Sequence, residues 1–322
     1  MLKVAVIGNT TWGNTLAALL ASKGIQVKLW QRKEGDRAVC PGRRYSFTCD
    51  AEEVIDEADM VIWAVPSQYM RENVRLFKDS LDSSMLLVTA AKGIELDSGK
   101  RMSQVIAEEI SSDLRHAVCA LSGPNLAGEI ARELPAASVV ASRDISVARR
   151  AQEIIIAPGF QVFASDDIVG VELGGALKNV IALGAGVVDG LKLGDNAKAA
   201  FLTWGWAEVV SLGEALGAKR ETFYGLSGLG DLIATCAGNL SRNHRVGYEV
   251  GKGKSLFQAT SSLHQVVEGV HTIKAISPLA RGLGLDLPVI NLIHGVLFED
   301  LPVSEVASMF GGLEGQHSPD YS

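Results

Sequence analysis

The sequence predicts an α/β protein of two domains, in which a doubly wound parallel sheet is followed by an all-helical unit. Its 322 residues suit two domains of ordinary size. Apolar runs alternate with helical patterns in the first half, which is typical of parallel strands joined by crossover helices. The strand patterns end near residue 165, so we expect domains at 1–164 and 165–322. The apolar runs are LKVAVIG, IQVKLW, DMVIWAV, MLLVTA, AVCALS and ASVVAS.

The overall charge excludes some classes of partner. A net charge of −7 argues against a broad surface for nucleic acid or for an anionic membrane, and leaves room for a local cationic pocket.

The N-terminal apolar run is too short for a signal peptide, so we expect a cytoplasmic protein. The four cysteines, Cys40, Cys49, Cys119 and Cys236, have no C-x-x-C spacing, which predicts reduced thiols and no metal site.

The first strand–helix turn, VAVIGNTTWGNTLA, resembles a dinucleotide-binding fingerprint with one exception. Gly8 can form the tight turn and Gly13 can allow close packing of helix on strand, but Thr10 stands where a glycine is usual. An ordinary turn that binds no nucleotide is the alternative. If the turn keeps its usual shape, the Thr10 side chain should point away from a bound pyrophosphate, or its backbone should be strained.

The end of the second strand carries positive charge. NAD-binding proteins of this fold have an acidic residue there, which binds the ribose 2′-hydroxyl, whereas this chain has Arg32 and Lys33. Two cations favour a 2′-phosphate, which predicts NADP, with NAD as the second possibility. A solvated loop is the alternative interpretation of both residues.

Lys178 lies within the long apolar segment 168–191. Together with Glu172 it would make a membrane span costly, so we expect a buried helix. A lysine inside an apolar helix needs a carboxylate or a cavity, which favours a functional role. Glycines around it weaken a helix, and close packing against a neighbour is the expected compensation.

Several stretches, in this order along the chain, together resemble the bacterial-type NAD(P)-dependent glycerol-3-phosphate dehydrogenases. They are GNTTWGNTLA, AVPSQ, AAKGIE, LSGPNLAGEIA, VELGGALKNVIALGAGVVDGL, GLSGLGDLIATC, LSRNHRVG and QVVEGV. The resemblance covers residue 4 to about residue 300. It implies an N-terminal Rossmann-type domain with an all-α C-terminal domain of the 6-phosphogluconate-dehydrogenase-like kind.

The resemblance also implies a reaction and residue roles. Members of the family reduce dihydroxyacetone phosphate to sn-glycerol 3-phosphate with NADPH or NADH, for phospholipid synthesis. Lys178 matches the proton donor and acceptor. The substrate positions are Lys92, Gly123, Asn125, Asp231, Ser241, Arg242 and Asn243. The cofactor positions are Gly8, Thr10, Thr11, Trp12, Gly13, Arg32, Lys33, Lys92, Ala127, Arg242, Val266 and Glu268.

The residue types suit this chemistry. Reduction of a carbonyl needs a proton donor and positive charge near the developing oxyanion, which lysines supply. Ser-Arg-Asn at a helix start offers a guanidinium and free amides to a phosphate. Structural roles are the alternatives: a helix cap for Ser241, a turn for Asp231 and a surface position for Lys92.

Two departures leave rival functions open. Thr10 replaces a glycine of the family pattern, and Trp204 stands where the pattern leads us to expect an arginine. The rivals are a β-hydroxyacid or 6-phosphogluconate type of dehydrogenase and a nucleotide-binding regulatory protein without turnover. We expect a small-molecule substrate, no nucleic-acid or membrane partner, and a homodimer.

Overall fold

A computed structural model describes residues 1–33, 45–237, 241–261 and 266–311, so Cys40 lies outside the described part. Its centre is an eight-stranded sheet with the strand order β3-β2-β1-β4-β5-β6-β7-β8. The strands are β1 (Lys3–Ile7), β2 (Gln26–Trp30), β3 (Ser46–Thr48), β4 (Met60–Trp63), β5 (Leu86–Thr89), β6 (Val118–Ser122), β7 (Ala136–Ser142) and β8 (Phe160–Ser165).

The sheet is parallel apart from one strand pair. Strands β1 to β6 pair in parallel, with Val4 opposite Val27 on one side and opposite Met60 on the other. Strand β7 runs antiparallel to β6, so the prediction of an all-parallel sheet is wrong there. The connection between them contains one helix of only four residues, Ala127–Ile130.

Helices cover both faces of the sheet. Alternate residues of β1 point to opposite sides, so that Val4 and Val6 join one apolar layer while Ala5 and Ile7 join the other. The prediction of a doubly wound sheet is confirmed. The helices of this half are α1 (Thr11–Ser22), α2 (Ala51–Ile55), α3 (Met70–Phe77), α4 (Met102–Glu109), α5 (Ala127–Ile130) and α6 (Ile145–Ile155).

The second half is helical, as predicted. Within the described ranges no strand follows Ser165. The helices are α7 (Ile168–Gly190), α8 (Asp195–Ala215), α9 (Arg220–Phe223), α10 (Asp231–Cys236), α11 (Arg242–Gly251), α12 (Leu256–Ser261), α13 (Glu268–Gly282), α14 (Pro288–Phe298) and α15 (Ser304–Gly311).

Helix α7 is the central helix of this half. It is long and apolar enough to cross a membrane, but 94% of its most apolar window is buried within the protein, as the sequence predicts. Its first turn also packs on the sheet, where Ile168 and Val171 share a small apolar cluster with Ala120 of β6 and Ala141 of β7.

Glycines allow α7 and α11 to approach closely. A Cβ on Gly186 or Gly190 would overlap the backbone of α11, and one on Gly247 or Gly251 would overlap the backbone of α7. The close packing that was expected to compensate for the helix-weakening glycines of α7 is therefore present between α7 and α11. It brings the helix that carries Lys178 next to the helix that begins at Arg242.

Candidate active site

The carboxylate of Asp231 lies between two lysines. Its Oδ2 accepts a hydrogen bond of 2.6 Å from Lys92, and its Oδ1 lies 2.9 Å from Nζ of Lys178. The Lys178 ammonium also donates to Thr235 Oγ1 at 2.5 Å, and that of Lys92 donates to the Gly123 carbonyl at 2.7 Å. These residues form the lysine–aspartate cluster.

The fold explains how the cluster assembles. Lys92 follows β5 and Gly123 follows β6, so both lie at the carboxyl edge of the parallel sheet, where open α/β sheets bind ligands. Lys178 comes from the middle of α7. Asp231 opens α10 directly after a π-helical turn at Leu226–Gly230, a rare geometry that is frequent at functional sites.

Burial strengthens the electrostatic interactions within the cluster. The side chains of Lys178 and Asp231 are 9% and 4% exposed. Burial lowers the pKa of Lys92, as does the nearby Lys178 ammonium, while Asp231 opposes the shift. Because each ammonium has three donors and uses two here, each retains one N–H for a ligand oxygen.

The loop after β6 adds polar groups beside the cluster. Gly123 has a φ of +145°, which favours glycine, and its carbonyl is the one that Lys92 contacts. Asn125 accepts from Ser138 Oγ at 2.7 Å, while its buried Nδ2 has no hydrogen-bond partner among the described residues. Such an unpaired donor is costly unless a ligand binds it. Ala127 begins α5, which packs against α1.

Ser241, Arg242 and Asn243 have three different roles. Ser241 Oγ accepts from the amide of His244, so Ser241 is a helix cap, which was the structural interpretation of this residue. Arg242 is exposed and donates to the Val266 carbonyl at 2.9 Å. Asn243 is buried and donates to Asn179 Oδ1, the residue next to Lys178, at 2.8 Å. The segment is thus connected to α7.

The turn at residues 266–269 lies beside this segment. Its Val266 carbonyl accepts from Arg242, and its Gly269 amide donates to Asn243 Oδ1 at 3.0 Å. Both carboxylate oxygens of Glu268 accept from Ser67, one from its amide at 2.9 Å and one from its hydroxyl. Burial raises the pKa of Glu268.

The turn after β1 has the geometry of a dinucleotide-binding turn. Gly8 has a φ of +118°, and a Cβ there would lie 2.8 Å from the Ala64 carbonyl. Thr10 caps α1: its Oγ1 accepts from Gly13 at 3.0 Å and donates to Ala64 O at 2.8 Å. Its backbone is extended, with φ −97°, and is therefore unstrained, while its side chain is directed to the Gly13 amide and the Ala64 carbonyl.

The residues at this turn fit a pyrophosphate. Thr11 and Trp12 form the first turn of α1, where backbone amides have no intrahelical acceptor and favour an anion. Together these groups fit a nucleotide lying across the carboxyl edge of the sheet.

Arg32 and Lys33 lie at the end of β2 and remain outside the lysine–aspartate cluster. Nη1 of Arg32 lies 3.1 Å from Glu72 Oε1 of α3, and both side chains are more than half exposed, at 53% and 61%. Lys33 is also exposed. Trp204, at the position where an arginine was expected, stacks on Phe310 with ring centroids 5.5 Å apart.

Three residues of this site were not singled out from the sequence. Thr235 lies one helical turn after Asp231, a spacing that could have indicated it. Asn179 follows Lys178 directly. Ser67, within the AVPSQ stretch, gave no signal of its own, because its partner Glu268 lies 201 residues away.

A separate cavity of about 720 Å³ lies along α11. Its lining includes Asp189, His244 and Tyr248, and none of the lysine–aspartate cluster. His244 Nε2 lies 2.6 Å from Asp189 Oδ2, which Lys198 also contacts. Among the described residues no group of three His, Cys, Asp or Glu is placed to hold a metal ion.

A Rossmann-type sheet, with a lysine–aspartate cluster and a free helix N-terminus at the carboxyl ends of its strands, defines a dinucleotide-dependent class of enzyme. Family models narrow this class. The model described as NAD-dependent glycerol-3-phosphate dehydrogenase N-terminus matches residues 3–148, and that of the C-terminus matches residues 167–308. The chain belongs to the NAD-dependent glycerol-3-phosphate dehydrogenase family.

Individual relatives agree. The chain is 47% identical to a glycerol-3-phosphate dehydrogenase [NAD(P)+] of Dehalococcoides mccartyi, over 98% of this chain and 92% of the relative. A Geobacter metallireducens protein of the same name is 42% identical, over 94% and 95%. The crystal structure of glycerol-3-phosphate dehydrogenase from Coxiella burnetii has a TM-score of 0.87 at 31% identity, covering 96% of this chain and 98% of that one.

More distant solved structures share the fold alone. D-mandelate dehydrogenase has a TM-score of 0.64 at only 13% identity, with 95% of this chain covered and 100% of that one. The family match therefore supports the first interpretation of the sequence and neither of its alternatives.

Proposed function

We propose that this protein reduces dihydroxyacetone phosphate to sn-glycerol 3-phosphate with NAD(P)H, in the cytoplasm, for glycerophospholipid synthesis. The observation that carries the proposal is the buried carboxylate of Asp231 between Lys92 and Lys178. Names of relatives that act on glycerol 3-phosphate with NAD(P)+ support the same activity.

Lys178 is the proposed proton donor. When bound, the nicotinamide supplies the hydride that reduces the C2 carbonyl. The remaining N–H of Lys178 then gives its proton to the C2 oxygen, so that the alcohol forms and the lysine becomes a neutral amine. Asp231 and Thr235 hold Nζ in position for this transfer. In the oxidative direction the neutral amine takes the proton back.

Lys92 supplies charge rather than a proton. Its ammonium is fixed by Asp231 and the Gly123 carbonyl, and its third N–H is free for the carbonyl oxygen of the substrate. Fixed positive charge in a buried site stabilises the oxyanion as it develops. Asn125 Nδ2 is a further donor for the bound substrate.

The phosphate of the substrate is assigned to the start of α11. The exposed guanidinium of Arg242 can bind two phosphate oxygens, and the helix N-terminus favours an anion. Ser241 and Asn243 shape this end, the first as the cap and the second through Asn179. We assign Arg242 to the cofactor as well.

We assign the cofactor mainly to residues 1–164 and the substrate mainly to residues 165–322. Gly8, Thr10 and Gly13 form the turn, and the amides of Thr11 and Trp12 bind the pyrophosphate. Arg32 and Lys33 favour NADPH over NADH, because their charge suits a 2′-phosphate. The remaining proposed cofactor residues are Lys92, Ala127, Arg242, Val266 and Glu268.

The glycine-rich helical half supports a homodimer, which light scattering would test.

The test is an absorbance assay of the purified protein with dihydroxyacetone phosphate and NADPH or NADH in parallel. We expect turnover with both and a higher kcat/KM with NADPH. Lys178→Ala should lower kcat by roughly 10²–10⁴-fold, the range for loss of a general acid. Absence of turnover with either cofactor would overturn the proposal, and a preference for NADH would overturn only the assignment of Arg32 and Lys33.

A further inference from the structure

Ser67 connects the sheet to the helical half of the protein. It lies four residues after Trp63, the last residue of β4, and its amide and hydroxyl both donate to the carboxylate of Glu268 at the start of α13. The side chain of Ser67 is itself held, since Gln68 Nε2 donates to its Oγ at 3.1 Å and to the Ile94 carbonyl at 2.8 Å.

The residues on either side of Glu268 hold the proposed phosphate-binding segment. Arg242 donates to the carbonyl of Val266, and Asn243 accepts from the amide of Gly269. Hydrogen bonds therefore join Ser67 to the turn at 266–269, and other hydrogen bonds join the backbone of that turn to the start of α11. Each link is between described residues of different elements.

Close packing leaves this turn little freedom. A Cβ on Gly93 would lie 2.9 Å from Glu268 Oε2, and one on Gly269 would lie 2.6 Å from the Asn179 carbonyl and 2.8 Å from Asn243 Oδ1. All three distances are below those that real Cβ atoms show. The turn is thus enclosed on the sheet side and on the α7 side. A displacement of Ser67 would therefore also displace Arg242.

We propose that Ser67 is a positioning residue for substrate binding: through Glu268 it fixes the turn at 266–269 and thereby the guanidinium of Arg242. This role rests on the proposed function, which assigns the substrate phosphate to Arg242. Ser67 has no contact with the lysine–aspartate cluster among its hydrogen bonds, so proton transfer is outside its influence.

The chain contains a matched control. Ser103, at the start of α4, donates its amide at 2.7 Å and its hydroxyl at 2.5 Å to the buried carboxylate of Glu172 on α7. It is therefore a second serine that binds a glutamate of the helical half through the same two groups. Glu172 is also paired with Arg101, and among the described residues no hydrogen bond joins Ser103 or Glu172 to the turn at 266–269.

The experiment compares Ser67→Ala with Ser103→Ala. Both should lower the thermal midpoint, because each loses a hydrogen bond to a carboxylate. Ser67→Ala should also raise the KM for dihydroxyacetone phosphate by roughly fivefold to tenfold while kcat stays within about twofold, the pattern of lost uniform binding. Ser103→Ala should keep the parent KM. Ser67→Cys, with a weaker donor of similar size, should give an intermediate KM and replaces Ser67→Ala if that variant does not fold.

Calorimetry with sn-glycerol 3-phosphate provides a readout independent of turnover. Its dissociation constant should rise in Ser67→Ala by the same factor as KM, and not in Ser103→Ala. If Ser67→Ala binds substrate as the parent does while losing thermal stability, the positioning role is wrong. If the parent binds sn-glycerol 3-phosphate but turns over with neither cofactor, the proposed function fails and the positioning role is still decided by binding.

Discussion

Asp231 Oδ1 and Nζ of Lys178 lie 2.9 Å apart, although one residue opens α10 and the other is in the middle of α7. The same carboxylate also accepts from Lys92, so two ammonium groups share one counter-charge. Among the ion pairs of the described residues no second carboxylate meets either lysine, so one positive charge of the cluster has no counter-charge there. A phosphorylated substrate with a developing oxyanion would complete the balance.

Asp231→Asn should leave two buried ammonium groups without a carboxylate. Removing one partner of a buried ion pair costs roughly 3–5 kcal/mol, so we expect a clearly lower free energy of unfolding by urea titration. The kcat should fall as well, because Nζ of Lys178 loses its position. Asp189→Asn is the control: Asp189 also contacts a lysine and a histidine, but is 26% exposed and outside the cluster. Equal loss of kcat in both variants would contradict this account.

Thr10 should matter for stability rather than for cofactor binding. Thr10→Val keeps the side-chain shape and loses the hydroxyl that caps α1, which should cost about 1 kcal/mol of unfolding free energy. Thr10→Ser should resemble the parent. Thr10→Gly, which restores the usual fingerprint, should leave the KM for NADPH within about twofold, because the Thr10 side chain points toward Ala64. A large fall in that KM would show that Thr10 obstructs the nucleotide.

Glu208 should make stability depend on pH near neutrality. Its carboxylate accepts from the amides of Val289 and Ile290 at 2.7 and 2.9 Å, and burial raises its pKa from 4.5 to about 7. A raised pKa means that the folded state holds the proton more tightly. The stabilisation is therefore complete below 4.5 and is lost as pH rises through about 7.

The measurement is the thermal midpoint across that pH range. We expect the midpoint of the parent to fall more steeply between about pH 5 and pH 8 than that of Glu208→Gln, which cannot titrate. Glu214→Gln is the control, because Glu214 lies on the same helix α8 and pairs with Arg220 at the surface. If the two glutamine variants have the same slope as the parent, Glu208 does not titrate in this range.

Gly247→Ala should separate α7 from α11. Its Cβ would overlap the Leu183 carbonyl of α7, whereas a Cβ on Gly282 of α13 meets nothing within 4 Å. We expect Gly247→Ala to cost roughly 1–3 kcal/mol, the usual range for overpacking, and Gly282→Ala to be neutral or slightly stabilising. Urea unfolding measures both. Because Arg242 is on α11, the first variant should also raise the KM for dihydroxyacetone phosphate.

The sequence predicts the parts of this molecule that depend on local pattern. Strand patterns identify the sheet, and a lysine in an apolar helix identifies Lys178, because burial of an ammonium group demands a partner wherever it occurs. The antiparallel β7 was not predicted, since its apolar pattern is the same in either direction. Strand β3, with three residues at the sheet edge, has too little pattern to detect.

Contacts between distant segments account for the rest. The sequence could mark Glu268 by resemblance, but nothing local to it indicates that Ser67 binds its carboxylate. Thr10 is a converse case: its residue type departs from the fingerprint, and only the position of the Ala64 carbonyl explains how a threonine serves there. Such contacts are fixed by tertiary packing.

The small apolar cluster that joins α7 to the sheet has a consequence for dissecting the chain. Ala120 and Ala141 on the sheet are covered by Ile168 and Val171, which lie beyond any cut made at residue 165. In a fragment ending there, the apolar side chains on these strands would be exposed to water and to other molecules of the fragment. Such a fragment would therefore tend to aggregate when it is secreted or used as a fusion module. A usable truncation has to include the first turns of α7.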